Sequence, residues 1–132
     1  ELTETSLLSN FEVATNFCKE LMDLNIGVAL DDFGTGYSSF NYLRNLPISQ
    51  IKIDRGYARQ LPTNHYNQTF ISFMHQLSKE LQLELCIEGV ETEEELELLR
   101  KMRISIIQGY FFETPMEADV ISREFPGKSS RK

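Results

Sequence analysis

The sequence predicts an α/β fold built on a parallel sheet. Two observations carry this prediction. Short apolar runs alternate along the chain with amphipathic stretches of about 10–18 residues, the pattern of βα units. Each run also ends on charged or amide side chains: Asp31 and Asp32, then Lys52 and Asp54, then Glu88, then Gln108. Apolar interiors with polar exits point to a site assembled at the C-terminal ends of parallel strands, as in a (β/α)8 barrel. A doubly wound open sheet also binds ligands beyond those ends. That sheet normally shows a glycine-rich phosphate loop after its first strand, and Asp32-Phe33-Gly34-Thr35-Gly36 matches neither G-x-G-x-x-G nor the Walker pattern.

Taken in order, Glu1-Leu2-Thr3-Glu4 is too short for an element of its own and fits the last residues of a strand. Ser9 with Glu12 three residues on forms the capping-box pattern. Phe11, Ala14, Phe17, Cys18, Leu21 and Met22 follow at helical spacing, which predicts a helix over 10–24, ended by Asn25 to Gly27. The run Gly27-Val28-Ala29-Leu30 leads a strand over 27–31 into the two carboxylates. A turn with two glycines follows, then a short helix over 38–46 that Pro47 stops. Gln50 to Asp54 alternates as a second strand, and 55–64, with Pro62 inside it, is irregular. Phe70, Ile71, Met74, Leu77 and Leu81 mark a helix over 65–82, before a strand over 83–87 that ends at Glu88-Gly89. Thr92 and Glu95 repeat the capping box, and the acidic run Glu91 to Glu97 suits a helix N-terminus better than a metal site. Ile104 to Ile107 is a fourth strand, 117–124 a last helix, and 127–132 a flexible tail.

Composition narrows the function classes. The 132 residues have room for one domain, and 41% apolar with 25% charged residues is ordinary for a globular protein. No apolar run approaches the roughly 20 residues of a membrane helix. A net charge of −7 opposes binding to DNA or to a membrane surface by this segment. Cys18 and Cys86 lie in apolar-periodic segments without metal-ligand spacing, which predicts buried free thiols and a cytoplasmic location. The chain opens at Glu1 without an initiator methionine and reads as a piece of something longer.

The adjacent carboxylates Asp31 and Asp32 carry the chemistry. Two such charges repel, and burial makes the repulsion worse. Hard divalent cations such as Mg²⁺ or Mn²⁺ prefer oxygen ligands and relieve it. An Asp that ends a strand beside an Asp that caps the next turn accounts for the pair equally well.

The nine residues Asp31-Asp32-Phe33-Gly34-Thr35-Gly36-Tyr37-Ser38-Ser39 resemble the signature loop of EAL domains, bacterial phosphodiesterases that hydrolyse cyclic di-GMP. Glu1-Leu2-Thr3-Glu4, Leu46-Pro47, Lys52-Ile53-Asp54-Arg55, Glu88-Gly89-Val90-Glu91-Thr92, Gln108-Gly109-Tyr110 and Pro115-Met116 agree in order and spacing. Departures are Cys86-Ile87 before Glu88, where the family often has a small residue, and Glu113-Thr114 before Pro115, where a basic residue is common. The resemblance implies a TIM-like (β/α)8 barrel. Residues 1–126 would form its C-terminal half: four βα units plus the end of a preceding strand. The Glu-Ala-Leu motif and a metal-binding asparagine would lie upstream of Glu1.

The resemblance also implies roles. Glu1, Asp31 and Asp32 would be ligands of two Mg²⁺ or Mn²⁺ ions, with Asp31 between them. Lys52 would hold the attacking water, with a lysine on an edge strand as the plainer account. Glu88 would be general base or ligand of the second ion. Gln108 would orient groups near the metals, and Asp54 would be a supporting residue. Glu4 would anchor the loop of Phe33, Gly34, Thr35, Gly36, Tyr37 and Ser38, although a carboxylate at a helix approach also fits it. The product would be the linear dinucleotide pGpG.

The implied partners are cyclic di-GMP, sensory or cyclase domains in the parent protein, and either a second copy or the missing N-terminal half across the open sheet edges. The strand faces that this half would cover are expected to be apolar. Two other readings remain: a catalytically inactive EAL protein that senses cyclic di-GMP or binds a protein, and an unrelated metal-dependent barrel hydrolase.

Overall fold

The computed structural model describes residues 1–35 and 40–124. Gly36, Tyr37, Ser38 and Ser39, the expected start of the helix over 38–46, and the tail 127–132 lie outside them. The described chain runs β1 (Leu2–Thr3), α1 (Glu4–Ser9), α2 (Phe11–Asp23), β2 (Ala29–Phe33), a 3₁₀ helix (Phe40–Asn45), β3 (Gln50–Ile53), α3 (His65–Glu80), β4 (Glu84–Ile87), α4 (Glu93–Lys101), β5 (Ile106–Ile107) and α5 (Ala118–Glu124). The strands form one parallel sheet in the order β1-β2-β3-β4-β5. Sequential parallel neighbours joined by helices are the arrangement of a barrel wall, and β1 and β5 stand at its two open edges.

The strand expected over 27–31 lies at Ala29–Phe33 and so takes in Asp32 and Phe33 of the expected turn, and the strand expected over 104–107 is only Ile106–Ile107. One segment departs altogether from the expected elements. Residues 4–9 form a separate helix, and Asn10 rather than Ser9 caps the next one, its side chain accepting from the Val13 amide. Thr3 caps α1 by accepting from the Ser6 amide. Ser9 is the last residue of α1, and its hydroxyl donates to the Ser6 carbonyl. With Leu7 as its one buried apolar residue, this short helix has no periodicity to betray it.

Alternation along the strands sorts the side chains onto two faces. Leu30, Ile51 and Leu85 stand level with one another, as do Phe33, Ile53 and Ile87, and all are buried against the helices. Leu7, Cys18, Ile71, Met74, Leu96 and Leu99 complete that core. The opposite, concave face carries Ala29, Gln50, Lys52, Glu84 and Cys86 instead. Gln50 donates to Glu84 across it at 3.2 Å. The concave face is therefore largely polar, not apolar as expected. The alternation that buries isoleucines on the helix side assigns the intervening polar residues to the barrel interior. Cys18 and Cys86 are both buried and unpaired.

Candidate functional site

The site begins with an irregularity. Leu30 pairs with Ile51 and Phe33 with Ile53, so three steps along β2 match two along β3. One extra residue is accommodated as a bulge at Asp31-Asp32. In a regular strand these neighbours would point to opposite faces. Here Asp32 adopts a left-handed backbone (φ 55°) and its amide donates to Asp31 Oδ1 at 3.0 Å. Phe33 returns to the helix side, fully buried. Aspartate tolerates the left-handed region better than most residues.

The bulge lets both carboxylates meet Glu88 from the end of β4. One carboxylate oxygen from each of Asp31, Asp32 and Glu88 lies within 4.8 Å of the others. Lys52, level with Cys86 on the concave face, reaches the same place. Its Nζ is 2.6 Å from Glu88, 2.8 Å from Glu1 and 3.6 Å from Asp31, and the residue is 5% exposed. Lys52 is therefore no surface lysine.

Burial would lower the Lys52 pKa, but hydrogen bonds to Glu1 and Glu88 and the charges of Glu88 and Asp31 outweigh it and keep the ammonium charged. Burial pushes Glu88 above the usual carboxylate range, and the charges of Asp31 and Glu1 add to this. Lys52 pulls the other way without cancelling it. Burial and the Glu88 charge likewise push the Cys86 thiol up to about 11. Oxygen donors that outnumber the one ammonium fit a hard divalent cation.

The other predicted residues fall around this centre unequally. Glu1 binds Lys52 and stands outside the three-carboxylate cluster. Glu4, 1% exposed, accepts from the Gly34 amide at 3.3 Å and from the Tyr42 hydroxyl at 2.6 Å, so it anchors the described part of the loop. Asp54 accepts from the Gly56 amide at 2.8 Å and shapes the turn after β3. Gln108 is exposed and lines an open cleft of about 720 Å³ beside Asp32 and Glu88, with Arg55, Tyr110 and Pro115 on its walls. Phe33, Gly34 and Thr35 follow the bulge, and the Thr35 hydroxyl donates to the Asp32 carbonyl at 2.9 Å.

Sequence reasoning gave no role to Tyr42 or Tyr57. Both hydroxyls bond to loop or anchor groups 23–38 residues away in the chain, a pairing that no local pattern encodes.

The comparisons place this geometry in a family. The sequence model of the EAL domain matches residues 1–115. The chain belongs to the EAL family. Cyclic di-GMP phosphodiesterase NbdA of Pseudomonas aeruginosa is 34% identical over 88% of the chain, which covers 15% of NbdA. MucR of the same organism, a bifunctional diguanylate cyclase/cyclic di-GMP phosphodiesterase, is 35% identical over 90% of the chain, which covers 17% of it. A MucR phosphodiesterase structure in complex with c-di-GMP superposes with a TM-score of 0.84 at 34% identity, over 91% of this chain and 49% of that one. The EAL domain of Mycobacterium smegmatis DcpA gives 0.86 at 29% identity, over 94% and 56%. The chain thus spans about half of the solved EAL domains and under a fifth of these two curated relatives. Its sheet is part of a TIM-type barrel.

Proposed function

We propose that this chain is the C-terminal part of a metal-dependent phosphodiesterase that hydrolyses cyclic di-GMP to linear pGpG. The observation that carries the reading is the bulge that turns Asp31 and Asp32 onto one side, facing Glu88 and Lys52. Asp31, Asp32 and Glu88 would hold the cations, with Glu1 beside them. Bound Mg²⁺ or Mn²⁺ supplies the positive charge that activates water and offsets charge at phosphorus.

The chain's own groups do the rest. Lys52 keeps Glu1, Asp31 and Glu88 gathered and adds its ammonium charge where the phosphodiester becomes more negative. Glu88, at the end of β4, would serve either as a ligand of a cation or as the base that takes the proton of the attacking water. Water oxygen bonds to phosphorus, the bond from phosphorus to the 3′ oxygen of one sugar breaks, and that oxygen leaves with a proton. The cleft walled by Arg55, Tyr110 and Pro115 offers a cation and apolar surface beside the carboxylates.

The polar concave face and the open edges at β1 and β5 favour closure by the N-terminal half of a barrel, or by a second copy. Sensory or cyclase domains elsewhere in the protein, and a cytoplasmic location of this part, complete the proposal. An inactive sensor would have no need of these three carboxylates, and Asp31, Asp32 and Glu88 stand together here. The test is cyclic di-GMP hydrolysis by the complete EAL domain in Mn²⁺, with D31N beside it. Turnover should fall by on the order of 10²–10⁴ in D31N. A D31N variant that keeps most of its rate removes the reading.

A further inference from the structure

We infer that Tyr57 is a positioning residue for the carboxylate cluster: its hydroxyl, together with Glu4, holds both peptide units that flank Gly34 and so fixes the bulge from which Asp31 and Asp32 project. This rests on the reading of Asp31, Asp32 and Glu88 as a divalent-cation site.

The bulge needs such support. Asp32 stands in a left-handed conformation, which persists where the surroundings hold it. Two residues later Gly34 is left-handed as well (φ 96°). Three contacts fix the chain just beyond Asp32. The Asp54 amide donates to the Phe33 carbonyl at 3.4 Å, Glu4 accepts from the Gly34 amide, and the Tyr57 hydroxyl donates to the Gly34 carbonyl at 3.0 Å. The tyrosine ring also lies against Gly34, where a Cβ would come within 2.7 Å of it.

Tyr57 can act as a clamp because it is held independently of the loop. Its ring stacks on Phe70 of α3, with centroids 4.1 Å apart and planes 19° from parallel. The turn that carries it is closed by Asp54 on the Gly56 amide and by Asn67 of α3 on the Gly56 carbonyl at 3.2 Å. The hydroxyl thus joins α3, a helix packed in the core, to the loop that bears the cluster. Burial, then the charges of Tyr66, Asp54 and Glu4, push the phenol above its ordinary range, so it remains a donor at neutral pH.

The experiment is Tyr57→Phe in the complete EAL domain, which removes the hydroxyl and keeps the stacked ring, with D31N as reference. Mn²⁺ binding is followed by calorimetry, turnover by product formation, and folding by metal-free thermal unfolding. Loss of one hydrogen bond should raise the Mn²⁺ midpoint about three- to tenfold, with kcat falling in parallel. KM for cyclic di-GMP should stay within about twofold and the metal-free Tm within about 4 °C. An unchanged Mn²⁺ midpoint in Y57F, while D31N has lost binding, overturns the clamp and leaves the cation site standing. So does a Tm that collapses in step with Mn²⁺ affinity, because the hydroxyl would then serve the fold at large. Wild-type Mn²⁺ binding by D31N overturns the cation site, and the clamp with it.

Discussion

Within the four residues of β3, Ile51 and Ile53 face one way and Lys52 the other, and all three are buried. The isoleucines meet Leu30, Leu85, Phe33 and Ile87 in a layer sealed by helices. Lys52 meets Glu1, Asp31 and Glu88, a layer of charge that one ammonium gathers but does not neutralise. The helix side is a finished core whose stability comes from apolar area. The concave side is unfinished, its excess of carboxylates suited to an incoming cation. Stability and chemistry are thus assigned to opposite faces of the same strands, and substitutions on the two faces should have separable effects.

The largest effect should come from Glu88→Gln on the concave face. The amide keeps the shape of the side chain and can still accept from Lys52, but it neither takes a proton nor offers a charged oxygen. Cyclic di-GMP turnover by the complete domain should fall by on the order of 10²–10⁴ while nucleotide binding and thermal stability are largely kept. Unaltered turnover would show that the charge at the end of β4 is incidental.

The converse is Ile51→Ala on the helix side. It removes three buried carbons from a fully enclosed position, and such truncations cost about 2–5 kcal/mol. Denaturant unfolding should show that loss, while kcat of the folded fraction stays within a few-fold. An Ile51→Ala variant that is stable but inactive would mean that the faces are coupled and that the comparison fails.

The sequence was informative about the two faces to different degrees. Apolar alternation and the capping box at Thr92 located the strands and α4 because these are local patterns. The polar strand exits marked the residues of the site, and the family resemblance gave them roles. The bulge was not readable, because it depends on how β2 registers against β3, about 20 residues on. Nor was the two-sided hold on Gly34, whose partners come from α1 and from the turn after β3. Helix α1 escaped because six residues with one buried leucine lack a period. Glu1, expected as a metal ligand, is seen as a partner of Lys52.

The smallest effect sharpens the comparison at its boundary, the start of α4, whose cap Thr92 follows Glu88 closely in the chain. Thr92 accepts from the Glu95 amide at 3.3 Å, and the Glu95 carboxylate returns the contact to the Thr92 and Glu91 amides at 3.2 and 3.0 Å. Thr92→Ala removes one side of this exchange and leaves Glu95 buried with its own acceptances intact. The loss should be about 1 kcal/mol in denaturant unfolding, largely recovered by Thr92→Ser, with turnover unchanged. The contacts concerned touch neither Lys52 nor the three carboxylates. A tenfold fall in turnover without loss of stability would show that the cap of α4 sets the position of Glu88, and the division between the faces would have to be drawn elsewhere.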